Sequence, residues 1–225
     1  MAAAPWVNLP LHSVIHRTGP QMNVRHQIRR AMRHYRRTLT PRQQYTAAQA
    51  LCRRLACHAV FIHSKHIAFY LPNDGEIDPR PLLERALKMG KKCYLPALAP
   101  RCSNTALRFV RYQKNTPMQC NDYGIAEPHI KHSSSLPASQ LNLVLMPLVA
   151  FDTTGNRLGM GGGYYDRSFA FKQKTRNKMP YLLGLAHQGQ QYTQLPKQAW
   201  DIPLAAIVTD QQWINCAEKV NKRVD

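Results

Sequence analysis

From Arg157 to Arg167 the chain reads RLGMGGGYYDR, with Gly159, Gly161, Gly162 and Gly163 crowded into five positions ahead of two tyrosines, an aspartate and an arginine. Bare backbone lets N–H groups approach an oxyanion unobstructed, and a helix start adds unpaired donors and the positive end of its dipole. Arg157 and Arg167 bracket the run with positive charge. A phosphate chain is the guest that suits such a loop. Neither common phosphate motif is present. Tyr164-Tyr165 stands where a Walker A loop carries Lys-Ser or Lys-Thr, and the glycines are contiguous rather than spaced as in the dinucleotide fingerprint. A plain flexible turn is the alternative; the arginines favour an anion site. Asp166 would repel a phosphate unless a cation lay between them. Mg²⁺, which takes one or two carboxylates together with phosphate oxygens, is one explanation, and an acid opposing the helix dipole is another. Both stay open on these residues alone.

A second charged constellation lies near the N-terminus. Arg25, Arg29, Arg33 and Arg36 recur at helical spacing, while Ile28, Met32, Tyr35 and Leu39 follow the same period on a different face. Across the 225 residues, 31 Lys and Arg stand against 12 Asp and Glu, a formal charge of +19. That excess implies anionic partners: nucleic acid, a membrane surface, or phosphorylated or carboxylated small molecules. No apolar run approaches the ~20 residues of a membrane span. The six cysteines, Cys52, Cys57, Cys93, Cys102, Cys120 and Cys216, form no C-x-x-C pair and are expected to be reduced thiols in the cytoplasm. Cys57, His58, His63 and His66 are too closely spaced for a zinc finger, so structural roles are expected for them.

These groups need elements to hold them. A helix is expected over Asn23–Leu39. Thr40, Pro41 and Gln43 form a capping-box start for a second helix, with Ala48, Leu51, Cys52, Leu55 and Ala59 facing inward. IAFYL (Ile67–Leu71) reads as a strand and PNDGEID as the loop after it. Pro79–Met89 is helical and stops at Gly90. KKCYLP, LRFVRY, LNLVLMPLVAF, YLLGLA and AAIVT are further strands, LNLVLMPLVAF apolar enough to be central. The alternation predicts an α/β fold: a three-layer, Rossmann-like domain with a mostly parallel central sheet flanked by helices. The domain is taken as residues 22–215, after a disordered 1–21 extension with Met22 as an alternative start and before a 216–225 tail. The glycine loop would then follow the central strand near Leu148 and open a helix near Tyr164, where open α/β sheets collect their ligands.

With that frame, PLVAFDTTGNRLGMGGGYYDR (Pro147–Arg167) resembles the signature of the 5-formyltetrahydrofolate cyclo-ligase (methenyltetrahydrofolate synthetase) family. YLPNDGEID, GKKCYLP, YGIAEP and WDIPLAAIVT resemble further landmarks of that family in the right order, from about Arg25 to about Thr209. The resemblance implies ATP- and Mg²⁺-dependent cyclisation of 5-formyltetrahydrofolate, free or polyglutamylated, to 5,10-methenyltetrahydrofolate with release of ADP and phosphate. That chemistry calls for positioning and charge neutralisation rather than a protein nucleophile, and a monomeric cytoplasmic protein is expected. Carried over, Arg25, Arg29 and the run Arg157, Leu158, Gly159, Met160, Gly161, Gly162, Gly163, Tyr164 and Tyr165 would hold ATP. Arg157 and Tyr164 are the implied catalytic pair. Leu71 and Glu76 would hold the folate together with Met160, Gly161, Gly162, Gly163 and Tyr164, and Tyr112 would supply an aromatic wall. Asp166 would bind the metal and Asp201 would be a second contact to it. The family more often has lysine where Arg25 stands, and arginine there trades a point charge for a bidentate fork.

Two other functions compete. The arginine stripe of the first helix would suit a nucleic-acid-binding protein, although no recognised binding module accompanies it. A sugar-phosphate isomerase or acyl-transferase relative would share the layout, but no catalytic Glu or Lys constellation stands out.

Overall fold

The computed structural model describes residues 21–98, 106–130, 134–174 and 179–216. All but the last residue of the expected N-terminal extension, Cys102 and all but the first residue of the tail lie outside them; Gln21, placed in that extension, instead begins the first helix. Helix α1 (Gln21–Thr38) breaks at Thr40 into α2 (Pro41–Ala56). The capping box forms as expected: Thr40 Oγ1 accepts from the Gln43 N–H, and Gln43 Oε1 accepts from the Thr40 N–H. A short helix α3 (Ala59–His63) follows. Ala59 opens α3 and is exposed rather than continuing the inward face of α2, because α2 ends at Ala56 and His58 caps a new start.

The sheet carries β1 (His66–Ala68), β2 (Lys92–Ala97), β3 (Arg108–Tyr112), β6 (Ser135–Leu136), β7 (Leu143–Pro147), β10 (Tyr181–Ala186), β11 (Ala206–Thr209) and β12 (Trp213–Asn215). Their order is β12-β11-β10-β7-β1-β2-β3-β6. The central five, from β11 to β2, are parallel to one another, and the outer pairings are antiparallel. Helix α4 (Arg80–Lys88) connects β1 to β2. Two small antiparallel pairs stand outside the sheet: β4 (Met118–Cys120) with β5 (Ala126–Pro128), and β8 (Ala150–Phe151) with β9 (Arg157–Leu158). The helix after the glycine loop, α5 (Tyr164–Ser168), has five residues.

The apolar character of β7 is satisfied on both faces. Leu143 and Leu145 join a core cluster with Leu51, Leu55 and Leu82 of α2 and α4. Val144 and Met146 join a second with Phe151 and Phe169. From β1 the chain proceeds to β2 and β3 on one side; from β7 it proceeds to β10 and β11 on the other. The order of strands therefore reverses between β1 and β7, and the crevice beyond their carboxyl ends is the natural ligand position in such a sheet. Tyr112 lies at the opposite end. It pairs with Cys93 near the start of β2 and packs against the core, so it cannot wall that crevice. His58 stacks on Trp213 at 3.7 Å between ring centroids, and His66 shares a 2.9 Å hydrogen bond with Tyr94, structural uses in both cases. Among the described residues no helix is long and apolar enough to cross a membrane.

Candidate active site

The two chain segments leaving β1 and β7 form the walls of the crevice, and α1 lies across them. The glycine loop does not follow β7 directly as the sequence suggested. The β8–β9 hairpin intervenes, turned by Asp152, whose buried carboxylate accepts from Thr154, Asn156 and Leu195. Burial alone would raise the Asp152 pKa; those hydrogen bonds outweigh it and hold the group below its ordinary value. The loop thus leaves β9 on a rigid hairpin. Gly161 has φ +111° and Gly163, the residue before α5, has φ +65°, conformations that L side chains rarely adopt. No side chain caps the α5 start, so its first N–H groups receive no internal side-chain acceptor.

The N-terminal half of α1 serves this loop. Arg29 Nε donates to Gly159 O at 2.8 Å, and its guanidinium lies beneath Gly161, within 3.8 Å of where a Cβ would stand. Burial and the neighbouring Arg25 charge lower the Arg29 pKa, yet a guanidinium stays charged at any working pH. Arg25 grips both oxygens of Asp201, at 2.8 and 3.3 Å. Asp166 Oδ1 accepts from Arg157 Nη2 at 2.6 Å and from the Ile202 N–H at 3.2 Å, which ties α5 to the backbone of the residue after Asp201. Arg157 is buried and also donates to Ile202 O, which makes it the tie between β9, α5 and that segment. Leu158 turns its side chain into a small core with Ile28 and Ala150, leaving only its backbone to face a ligand.

The C-terminal half of α1 meets the β1 exit. Asp74 receives Arg33 at 2.6 Å, Arg36 at 2.9 Å and Arg37 at 2.5 Å. Asp74 and Gly75 both have positive φ, +51° and +74°. A Cβ on Gly75 would lie 2.9 Å from Arg36 O, so the loop touches the helix backbone. Glu76 sits under this loop with its carboxylate 3.7 Å from Arg36 and an N–H bond from Asn73. Burial pushes its pKa up to about 7 against the pull of Arg36. Tyr70 and Tyr165 face it, and burial followed by the Glu76 charge raises both phenols. Leu71 is half-buried at the lip, packed on the core.

Tyr165 therefore belongs to the Glu76 end and packs on Phe169, rather than with the phosphate-facing residues among which the sequence grouped it. Tyr164 sits at the rim, its ring under the Arg167 guanidinium and its hydroxyl 2.9 Å from that of Tyr123. That bond raises the Tyr164 pKa, the reverse of what a proton acceptor needs. Met160 is exposed beside Arg29 and Arg33 on an open groove of about 700 Å³ along α1. Each member of the arginine stripe that suggested nucleic acid holds a carboxylate or a carbonyl of the crevice. Sequence reasoning missed Asp74, the burial of Arg36, and Tyr123. Only Tyr123 and Asp74 left a trace, in YGIAEP and PNDGEID.

Comparison with known proteins agrees with this geometry. Residues 21–210 match the model of the 5-formyltetrahydrofolate cyclo-ligase family. A 5-formyltetrahydrofolate cyclo-ligase of Haemophilus influenzae is 41% identical over 184 residues, covering 82% of this chain and 96% of the relative. That of Escherichia coli K12 is 39% identical over 178 residues, covering 79% and 96%. The solved 5,10-methenyltetrahydrofolate synthetase of Aquifex aeolicus superposes with a TM-score of 0.72 at 27% identity, over 86% of this chain and 93% of that one. A crevice at the strand reversal, with a glycine loop on one wall and a buried glutamate on the other, thus sits in a chain that belongs to the 5-formyltetrahydrofolate cyclo-ligase family, and its activity is that of a ligase acting on 5-formyltetrahydrofolate.

Proposed function

We propose that the chain closes the ring at the expense of ATP with Mg²⁺ bound. The formyl amide is a poor electrophile because its oxygen is a poor leaving group. Transfer of the γ-phosphoryl group to that oxygen, with departure of ADP, makes it a good one. Folate N10 then attacks the formyl carbon, the C–O bond breaks, and phosphate leaves with the N10 proton. No protein nucleophile is needed; alignment and charge neutralisation do the work.

The observation that carries this is the double engagement of α1. Its first half holds the glycine loop through Arg29 and the Asp201 segment through Arg25. Its second half holds the Glu76 loop through Asp74. Arg25, Arg29 and the bare amides of Gly159, Gly161, Gly162 and Gly163 would take the phosphates, and Tyr165, Leu71 and Glu76 the pterin. An ionised Glu76 can accept paired N–H bonds from an aminopyrimidine edge. Arg157 supports Asp166 and the loop. Tyr164 and Met160 flank the ligands at the rim. Asp166, which accepts from the Ile202 N–H, and Asp201, held by Arg25, are the carboxylates that would hold an ion taking one or two carboxylates and leaving its other positions to phosphate oxygens and water. Bound there, Mg²⁺ would offset phosphate charge. The surplus of basic residues around the crevice suits a polyglutamylated folate as well as ATP.

The test is direct. Purified protein with ATP, Mg²⁺ and 5-formyltetrahydrofolate is expected to generate the near-ultraviolet absorbance of the methenyl product, and omission of either ATP or Mg²⁺ to abolish it. Turnover without ATP would overturn the mechanism.

A further inference from the structure

Among the described residues Arg36 is the largest side chain buried without any exposed surface, and the mechanism above does not use it. Its guanidinium joins three elements at the strand reversal. One nitrogen reaches Asp74 at 2.9 Å, and the other reaches Leu148 O, just past β7, at 3.3 Å and Glu76 at 3.7 Å. Its Nε has no hydrogen-bond partner. A buried cation so placed is costly unless firmly paired. Asp74 supplies the pairing, from a left-handed backbone that Asp tolerates better than most residues. Arg33 and Arg37 clamp the same carboxylate from the surface side of α1.

We infer that Asp74 and Arg36 form a positioning unit for the folate site, in which Asp74 aims Arg36 so that Glu76 meets the pterin ionised and correctly oriented. The inference rests on Glu76 being the pterin acceptor. The groups facing Glu76 are few. Arg36 comes from α1, Asp74 from its own loop, Tyr70 from the β1 exit and Tyr165 from α5. Both tyrosines have raised pKa values and stay neutral near pH 7, so the charge at Glu76 is decided by burial and Asp74 against ionisation and by Arg36, then the Asn73 N–H, in favour of it. Asp74 thus acts twice: it opposes Glu76 directly as a like charge, and it fixes the Arg36 cation that favours it.

Asp74→Asn tests this, because asparagine keeps both the left-handed preference and an acceptor while removing the charge. Methenyl formation in the variant is expected to show a folate KM raised about tenfold, the size of one charged hydrogen bond, with the ATP KM within about twofold of wild type. The acid limb of the pH profile for folate kcat/KM is expected to move. In a Glu76→Gln background the same substitution is expected to leave the folate KM unchanged, since Asp74 acts through Glu76. Equal folate KM and pH limb in wild type and Asp74→Asn, or equal effects of Asp74→Asn with and without Glu76, would overturn the inference. If Asp74→Asn melts at the assay temperature, Arg37→Gln, which removes one exposed clamp on Asp74, is expected to give the same changes at about threefold; an unchanged folate KM there overturns it too. Absence of methenyl product from the wild-type protein would defeat the folate reading itself, whereas turnover with indifferent variants would defeat only the positioning unit.

Discussion

The two loops that meet α1 are built by opposite means. The glycine loop is open: Met160, Gly161 and Gly162 are exposed, and α1 reaches it through an Arg29 bond to a carbonyl and a long 4.0 Å contact from Arg36 to the Met160 sulfur. The β1-exit loop is closed. Three arginines converge on Asp74, Gly75 touches the helix backbone, and Glu76 is pressed into a site that raises its pKa to about 7. Phosphates come with their own charge and can organise loose amides around themselves. A pterin edge is neutral, so its recognition depends on acceptors fixed beforehand. A loop organised by its ligand and a loop organised by its neighbours should fail in different ways when mutated.

The largest contrast is expected at Asp166. Asp166→Asn keeps an oxygen for Arg157 and Ile202 but removes the charge, so folding should persist while kcat falls about 10²–10³-fold, the usual cost of removing one electrostatic contact from such a site. Steady-state kinetics at saturating ATP, with a thermal melt alongside, checks both halves. A variant with wild-type kcat would remove Asp166 from the metal site.

Glu76 should show the opposite balance, a residue whose removal stabilises. Its folded-state pKa of about 7 lies above the ordinary 4.5, so the folded protein binds this proton more tightly than the unfolded chain. The stability so conferred is complete below about pH 4.5 and is lost as pH rises through about 7, a fall of about 3 kcal/mol. Glu76→Gln should abolish this part of the pH dependence and gain stability relative to wild type above pH 7, with folate binding weakened but still measurable. Urea melts of both proteins from pH 5 to pH 8 read the difference, and parallel curves would refute the burial assigned to Glu76. Folate binding has the contrary sign: it needs the ionised form, so the folate KM should rise as pH falls below about 7.

The same contrast explains which features could be read from the sequence. Alternating apolar strands and helical periods carried the fold, because β7 and β10 are buried on both faces and their composition says so. The glycine loop was legible because bare backbone has few other uses at that density. Asp74 and Arg36 were not. An aspartate before a glycine is the commonest of turn signals, and an arginine at helical spacing looks like a solvated face. Burial of Arg36 depends on a loop 38 residues further on, and no local pattern records such a pairing. The brevity of α5 was hidden for a related reason: its residues Tyr164–Ser168 are held by Arg157, Ile202 and Tyr123 rather than by helical propensity.

Matched glycine substitutions sharpen the comparison at smaller scale. Gly75→Ala puts a methyl 2.9 Å from Arg36 O at φ +74°, and neither the helix backbone nor the clamped loop can yield. A loss of about 2 kcal/mol in stability is expected, with a rise in the folate KM. Gly161→Ala is also strained, at φ +111°, but its methyl would meet only the Arg29 guanidinium, at 3.7 Å and beyond. The exposed loop can relax, so stability should change by less than about 1 kcal/mol while the ATP KM rises. Equal melting temperatures for the two variants would mean that both loops are equally free.

Tyr123 is the finest test, since it belongs to neither loop. The β4–β5 hairpin brings it to the rim, where its hydroxyl meets that of Tyr164 at 2.9 Å and the rings sit edge to face at 6.2 Å. Asn121 holds the turn by accepting from the N–H groups of Tyr123 and Ile125. Tyr123→Phe removes one exposed hydroxyl and keeps the ring, so stability should move by less than about 1 kcal/mol. The Tyr164 pKa, raised chiefly by this bond, should fall back toward its ordinary value, which ultraviolet titration of the difference between the two proteins can follow. If the contact helps hold α5 and its glycine loop, the ATP KM should rise about twofold with the folate KM unmoved. A change confined to the folate KM would instead assign the hairpin tip to the pterin end, and the division of α1 into two halves would then stop short of the rim.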